Sequence, residues 1–379
     1  MVRLSETGKI ITGNTPKTSD QKNYASNDIP FVKPSDISEC DVSFIKLTEY
    51  WISEYAREKA RILPPNSILV TCIGIIGKVA ITERECAFNQ QINAIIPNDN
   101  YLPEYLAYAI LAKQSYLQEI ANAPVVPIIN KSQFGDIEIQ DADLRNQRIV
   151  VDKLNAISHI ISLSNAQLKK LDKLIKSRFV EMFGDISYSK KFQYKKVQEF
   201  TCVVSGGTPN RDNNDYWKNG KIPWVKTTEL KHAVIEKAEE YITDKGLAES
   251  SAKIVPENTI VIAMYGQGKT RGMTGLLKIN ASTNQACACV LPSDNVNHIY
   301  LWKYFEFSYD NLRNLAKGGN QPNLNGNMIK NYPVLFPPLS LQNQFADFVT
   351  KVEQQKSAVQ KSIDKLETLK KSLMQEYFG

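Results

Sequence analysis

Residues 144–183 read LRNQRIVVDKLNAISHIISLSNAQLKKLDKLIKSRFVEMF, forty positions without a proline or a glycine. Within them Val150, Leu154, Ile157, Ile161, Ser164, Leu168, Leu171, Ile175, Arg178 and Met182 recur at alternating steps of four and three. A 3.5-residue repeat sustained this long predicts a coiled-coil helix, because it keeps one seam facing a partner. Near the end of the chain Phe348, Val352, Gln355, Val359, Ser362, Leu366, Leu369 and Leu373 repeat the steps. A rod of about 39 residues is roughly 58 Å long. Two rods in one chain most simply pair antiparallel, with a globular part at each end. Ser164 with Ser362, and Arg178 with Gln355, are polar intrusions suited to fixing register. Lys169, Lys170, Lys173, Lys176, Lys365, Lys370 and Lys371 read as solvated flanks.

The rest of the chain is duplicated as well. Thr15-Pro16 returns as Thr208-Pro209 and Ile29-Pro30-Phe31-Val32-Lys33 as Ile222-Pro223-Trp224-Val225-Lys226, both at an offset of 193. Pro64-x-Asn66-Ser67-Ile68 matches Pro256-x-Asn258-Thr259-Ile260 at 192. Asn89-Gln90 matches Asn284-Gln285, Pro127-Ile-Ile-Asn130 matches Pro322-Asn-Leu-Asn325, and Phe183-Gly184 matches Phe378-Gly379, all at 195. Collinear matches at nearly one spacing establish a tandem duplication. Each globular part carries short β-branched runs between turn residues: Ile29–Val32, Ile68–Cys72, Val79–Thr82 and Ile92–Ile96, then Ile222–Val225, Thr259–Met264, Gly275–Ile279 and Ala286–Leu291. Such runs predict a compact mixed or barrel-like sheet, interrupted by a helix over Pro103–Gln118 with proline in its first turn. The expected fold class is α+β: two tandem-repeat globular α/β parts separated by two long helices in an antiparallel coiled coil. The expected boundaries are 1–141, 142–184, 185–336 and 337–379.

Composition narrows the function. The 379 residues are 42% hydrophobic and 23% charged, with 46 Lys and Arg against 40 Asp and Glu, a formal charge of +6. That balance permits a nucleic-acid partner without requiring one. No run approaches the roughly 20 apolar residues of a membrane span, and the N-terminal MVRLSETGK lacks the apolar core of a signal peptide. The six cysteines form no CxxC pair and lie far in sequence from His159, His232 and His298, which disfavours a zinc finger. Reduced, mostly buried thiols of a cytosolic protein are expected instead.

No catalytic set emerges. Ala263-Met-Tyr-Gly266-Gln-Gly268-Lys269-Thr270 nearly spells a phosphate-binding loop, but Arg271-Gly272-Met273-Thr274-Gly275 is poor material for the helix that must follow. Its counterpart Gly74-Ile-Ile-Gly77-Lys78 runs into a strand. An amine methyltransferase needs an Asn/Asp-Pro-Pro-aromatic tetrad, and Asn331-Tyr332-Pro333 lacks the order. Glu239-Glu240 reads as a charged helical surface. What recurs is a set of donor-rich loops. In the first half these hold Lys33, Gly74, Gly77, Lys78, Asn89, Gln90, Gln91, Asn130 and Lys131. In the second they hold Lys226, Thr227, Thr228, Gly266, Gln267, Gly268, Lys269, Thr270, Arg271, Asn284, Gln285, Lys317, Asn320, Gln321 and Asn323. Asn and Gln match adenine edges, and Arg and Lys match guanine; the same residues also cap turns.

The chain resembles the specificity (S) subunit of type I restriction–modification systems. The resemblance rests on Gly13-Asn14-Thr15-Pro16 with Gly206-Gly207-Thr208-Pro209, on Ile29–Lys33 with Ile222–Lys226, and on Gly74-Ile-Ile-Gly77-Lys78-Val-Ala-Ile81. Asn89-Gln90, Gln321-Pro-Asn-Leu324 and Pro337-Pro-Leu-x-Leu-Gln342 add to it. It covers essentially the whole chain, in the order target-recognition domain, helix, target-recognition domain, helix. The resemblance implies that each recognition domain reads half of a bipartite site in double-stranded DNA, that the helices fix the gap, and that they dock two modification subunits. Those subunits methylate adenine with S-adenosylmethionine, and restriction subunits cleave with ATP and Mg. The chain itself is then non-catalytic, holds no cofactor or metal and works in a prokaryotic cytoplasm. The second-half loop Gly266–Arg271 carries more donors than Gly74–Lys78, so the implied target is asymmetric. On the residues alone two alternatives stay open, a self-sufficient restriction–methylation enzyme and a protein–protein spacer scaffold.

Overall fold

The computed structural model describes residues 1–39, 41–121, 127–266, 268–316 and 323–379. They form two compact units, Met1–Asn165 with Lys361–Gly379, and Ala166–Gln360. The long helices are Leu144–Phe183 and Leu339–Phe378. Each unit therefore contains the start of one long helix and the end of the other.

The first unit is built on a five-stranded sheet in the order Gly8–Thr12, Ile92–Pro97, Ile68–Thr71, Val79–Thr82, Ser43–Ile45. All its neighbours are antiparallel except the last pair, which is parallel. The second unit repeats this with Val203–Ser205, Cys287–Val290, Ile260–Ala263, Thr274–Leu277 and Ala233–Ile235, again with the last pair parallel. A smaller sheet accompanies each: Tyr50–Ile52, Ile29–Val32, Cys86–Phe88 and Ile62–Leu63 in the first, and Glu240–Ile242, Ile222–Val225 and Ser282–Thr283 in the second. The duplication is thus one of topology, and the expected strands fall within a residue or two of their places. The helix expected over Pro103–Gln118 is split into Pro103–Ala112 and Gln114–Ile120.

These strands read as continuous apolar runs because both faces of the sheet are covered. Side chains alternate faces along a strand. Ile68 and Val70 accordingly pack with Tyr105 and Leu106 of the neighbouring helix, while Leu69 packs with Val32 and Phe88 of the smaller sheet. In the second unit Ile260 and Ile262 face Tyr300 and Tyr304, and Val261 and Ala263 face Val225.

The repeated motifs have structural reasons. Asn66 and Asn258 sit at φ 64° and 65°, a left-handed conformation that asparagine tolerates. Their amides donate to the carbonyls of Thr82 and Leu277, each at 2.7 Å, which closes equivalent turns. The Thr15 hydroxyl donates to Gln90 Oε1 at 2.5 Å, and Thr208 makes the same bond to Gln285. One hydrogen bond thus joins two motifs that recur separately. Gln147 and Gln342, both buried, accept from the amides of Leu102 and Asn297 and fasten each long helix to the start of a neighbouring one.

In each unit the long-helix segments run antiparallel. Lys153 Nζ donates to Tyr377 at 2.9 Å and Lys370 Nζ to Ser158 at 2.7 Å in the first unit. Asp172 pairs with Lys356 at 2.6 Å in the second. On the first helix Val150, Leu154, Ile157 and Ile175 are buried, and Ile161, Ser164, Leu168, Leu171, Arg178 and Met182 are half-buried, as the heptad reading requires. On the second helix every other position shifts by one residue. Val352 is buried and Phe348, Val359, Leu366 and Leu373 half-buried, but Gln355 and Ser362 are exposed and Leu369 is 47% exposed. Their seam places go to Lys356, Ile363 and Lys370. The two lysines mask the pattern because their stems pack while their ammonium groups are neutralised, Lys356 by Asp172 and Lys370 by Asp41 at 2.6 Å. Lys370 is therefore not a solvated flank; Lys169, Lys170, Lys173, Lys176, Lys365 and Lys371 are exposed. Ile363→Ala is expected to cost about 2–4 kcal/mol of stability and Leu369→Ala under about 1 kcal/mol; urea unfolding of the two variants checks this.

Among the described residues no helix is long and apolar enough to cross a membrane, and no His, Cys, Asp and Glu cluster has metal-binding geometry.

Candidate nucleic-acid interface

The predicted loops converge in each unit through backbone hydrogen bonds. In the first, the Asn89 amide donates to Val32, the Cys72 amide to Gln91 at 2.8 Å, the Ile129 amide to Cys72 at 2.9 Å and the Gly74 amide to Pro127 at 3.1 Å. Lys33, the 72–78 turn, Asn89–Gln91 and Asn130–Lys131 thereby form one cluster at the strand ends. The second unit makes the same links: Asn284 to Val225, Met264 to Ala286 and Leu324 to Met264. These gather Lys226–Thr228, the 264–273 loop, Asn284–Gln285 and Asn323. Gln267, Lys317, Asn320 and Gln321 lie outside the described residues.

Several of the polar groups belong to the fold. Asn89, buried, accepts from the Gln91 amide at 3.1 Å and donates to its side chain at 2.9 Å. Asn284 accepts from the Cys287 thiol. Asn130 caps a short helix by accepting from the Gln133 amide at 2.9 Å. Gln90 and Gln285 hold the threonines named above. Lys78 is turned inward, 7% exposed, and its ammonium meets Glu39 at 3.3 Å. This corrects its reading as a surface donor: the ammonium is engaged by Glu39 and, at 3.4 Å, by the Pro34 carbonyl. Lys226 pairs with Glu240 at 2.8 Å and Glu239 at 3.0 Å, and those carboxylates hold its pKa above the usual lysine value. Glu240 lies in a strand, Glu240–Ile242, so the pair is not helical as expected. Lys33 stands 3.1 Å over the Tyr50 ring, and its amide donates to Asp36.

The exposed positions are at the turn tips. Gly74 (φ 79°) and Ile75, 56% exposed, crown the first-half turn, and Lys131 is exposed at the start of the short helix Lys131–Gly135. Tyr265, Gly266, Gly268 and Lys269 are exposed on the second-half loop, with Thr228 and Asn323 also exposed and Thr227, Thr270 and Arg271 half-buried. Ile75 and Tyr265 escape a search for polar donors, yet an apolar or aromatic side chain next to a glycine is suited to a thymine methyl. The second loop spans ten residues between its strands, 264–273, against seven, 72–78, in the first. It runs into the strand Thr274–Leu277, so no helix opens there to hold a nucleotide phosphate.

His232 backs the second loop, with Nδ1 3.0 Å from Thr274 Oγ1 and its ring edge-on to Tyr309 at 5.3 Å. Burial pushes its pKa down to about 4, with the Lys303 ammonium adding to the effect. A base whose folded pKa lies below its ordinary value stabilises the fold above pH 6.5 and loses that contribution as pH falls toward 4. The unfolding midpoint is expected to fall across this window, and His232→Gln to flatten the fall; urea titrations at pH 7, 5.5 and 4.5 check both.

The model of the type I restriction modification DNA specificity domain matches residues 1–173 and again 189–368. The chain belongs to this family. It carries two copies of the domain, in keeping with the duplicated topology. It is 24% identical over 394 residues to the MjaIX type I restriction enzyme specificity subunit of Methanocaldococcus jannaschii, covering 98% of this chain and 90% of that one. It is 36% identical over 145 residues to the HindI specificity subunit of Haemophilus influenzae, covering 37% of this chain and 31% of that one. Among solved structures, the type I S subunit from M. genitalium superposes with a TM-score of 0.62 at 12% identity, covering 100% of this chain and 95% of the other. A chain from a structure of type I system assembly and conformational transition gives 0.59 at 15%, covering 99% and 96%. These two likenesses carry the family's fold.

Proposed function

We propose that this specificity subunit reads a split, asymmetric site in double-stranded DNA, one half with each loop cluster, and turns over no substrate itself. The observation that carries the reading is the duplicated cluster: the same strand ends present a seven-residue turn in one half and a ten-residue loop in the other. A shared frame with unlike tips is what two different half-sites require. Recognition domains 1–141 and 185–336 supply the tips, and the long helices set the unread gap and dock two modification subunits. The chemistry sits on those partners: S-adenosylmethionine for adenine methylation, and ATP and Mg on restriction subunits. This chain's sequence offers neither the Asn/Asp-Pro-Pro-aromatic tetrad nor a phosphate loop.

The exposed tip residues Gly74, Ile75, Gly266, Gly268 and Lys269, with half-buried Thr270, are assigned to base edges, a good bidentate side-chain pair being worth about 1–3 kcal/mol of discrimination. Lys131 and Lys33 are assigned to phosphates, and loss of one such contact lowers the salt slope of binding by about 0.9. Single-molecule sequencing of the host genome with and without this gene tests the reading. The expected result is loss of methylated adenine at one split motif of fixed gap. An unchanged methylome, together with failure to direct methylation when reconstituted with a modification subunit, overturns it.

A further inference from the structure

Both tips are held from behind by side chains of one short helix in each unit. In the second unit that helix is Tyr309–Leu315, anchored by fully buried Leu312. Arg313 Nη1 donates to the Arg271 carbonyl at 2.9 Å and to the Tyr309 hydroxyl at 3.1 Å, and Nη2 donates to the Gly268 carbonyl at 3.0 Å. The Tyr309 hydroxyl donates to the Lys269 carbonyl at 2.5 Å. Two side chains one helical turn apart thus engage three carbonyls of the loop. Gly272, at φ 86°, lets the backbone lie against both; a Cβ there would stand 3.2 Å from Arg313 Cγ and 3.4 Å from the Tyr309 ring.

The first unit has the same device in other chemistry. Gln114 Nε2 donates to the Gly77 carbonyl at 3.1 Å and the Glu39 carbonyl at 3.3 Å, and Gln118 Nε2 donates to Ile76 at 3.4 Å. Gly77 is at φ 83°, and a Cβ on it would stand 2.9 Å from Gln114 Cγ. Gly77 and Gly272, Gln114 and Tyr309, and Gln118 and Arg313 are all related by the offset of 195.

We propose that Tyr309 with Arg313, and Gln114 with Gln118, are positioning residues that set the shape in which each tip meets its half-site. The inference rests on the DNA-reading function above. Two neutral amides suffice for the short turn. The longer loop has more conformational freedom to lose on binding, and the guanidinium's rigid fork, charge-assisted to two carbonyls, removes that freedom beforehand.

The test uses the full chain expressed with its modification subunit, as wild type, Arg313→Ala, Arg313→Lys, Tyr309→Phe and Gln114→Ala. Hydrogen exchange reads the loop directly, and the methylated-adenine motif reads recognition. Arg313→Ala is expected to speed exchange across 268–273 about tenfold, as losing a charge-assisted bond implies, and to degrade one half of the split motif only. Arg313→Lys should restore part of both effects, and Tyr309→Phe should act in the same direction but more weakly. Gln114→Ala should degrade the other half. Unchanged exchange in Arg313→Ala, or both halves degraded equally by either variant, overturns the inference. So does a motif that stays intact while the loop loosens. A wild-type chain that directs no split motif overturns the DNA-reading function and this inference with it.

Discussion

Phe179→Ala should cost the second unit about 4 kcal/mol, near the upper end for a large-to-small core change. The ring is 1% exposed, with Phe183, Phe307, Phe345, Tyr300 and Tyr304 at centroid distances from 5.1 to 6.1 Å. It stands on the end of the first long helix, among rings from the start of the second and from the helix His298–Phe307. Removing it empties the place where three helices meet, and such clusters relax little because their rings are close-packed on every side. At the offset of 195 Phe179 corresponds to Met374; the aromatic anchor of the first unit is Phe378, the counterpart of Phe183, 2% exposed and 5.2 Å from Tyr105 as Phe183 is 5.1 Å from Tyr300. Phe378→Ala should accordingly act on the first unit. Guanidinium unfolding followed by exchange in residues 298–307 and 103–112 resolves the units; a loss below about 1 kcal/mol for Phe179→Ala would mean that the aromatic cluster does not hold the helices.

Glu353→Ala should cost about 2 kcal/mol, by leaving the buried Lys303 ammonium with Glu306 as its one remaining carboxylate rather than through lost packing. Lys303 is 2% exposed, and its ammonium meets Glu353 at 3.0 Å and Glu306 at 2.8 Å; Glu353 also meets Lys356 at 3.1 Å. Burial raises the Glu353 pKa, but Lys303 and Lys356 together outweigh it, so the carboxyl lies below its ordinary value. Its contribution is therefore present above pH 4.5 and lost as pH falls through the folded pKa. Glu353→Gln, which keeps an acceptor for Lys303, should cost less than the alanine variant. Equal costs for the two substitutions would assign the effect to side-chain volume instead of charge.

The strands and the first long helix were legible because apolar period and proline–glycine punctuation act locally. Ile29–Val32, Val79–Thr82 and Ile222–Val225 lie where their β-branched runs predict. The second long helix was legible as a helix but not in its seam. A heptad search prizes Leu369 and discounts Lys356 and Lys370, whereas the fold neutralises both lysines with acidic partners. The loops were found because they recur, yet Asn89, Asn284, Gln90 and Gln285 recur for the sake of the turns they close. Recurrence marks whatever the frame needs, and the tips that differ between the halves are where reading is expected. Tyr309 and Arg313 were invisible for another reason: only tertiary packing brings their helix to the loop, although their shared offset with Gln114 and Gln118 was in the sequence to be noticed.

Halves that read independently on a common frame can be exchanged one at a time. Residues 189–336 are replaced with the matching segment of a relative, both long helices are left intact, and methylated adenine is sequenced in a host supplying the modification subunit. The expected result is a new sequence in one half of the split motif, with the other half and the gap length unchanged. A change in both halves, or in neither, would contradict it.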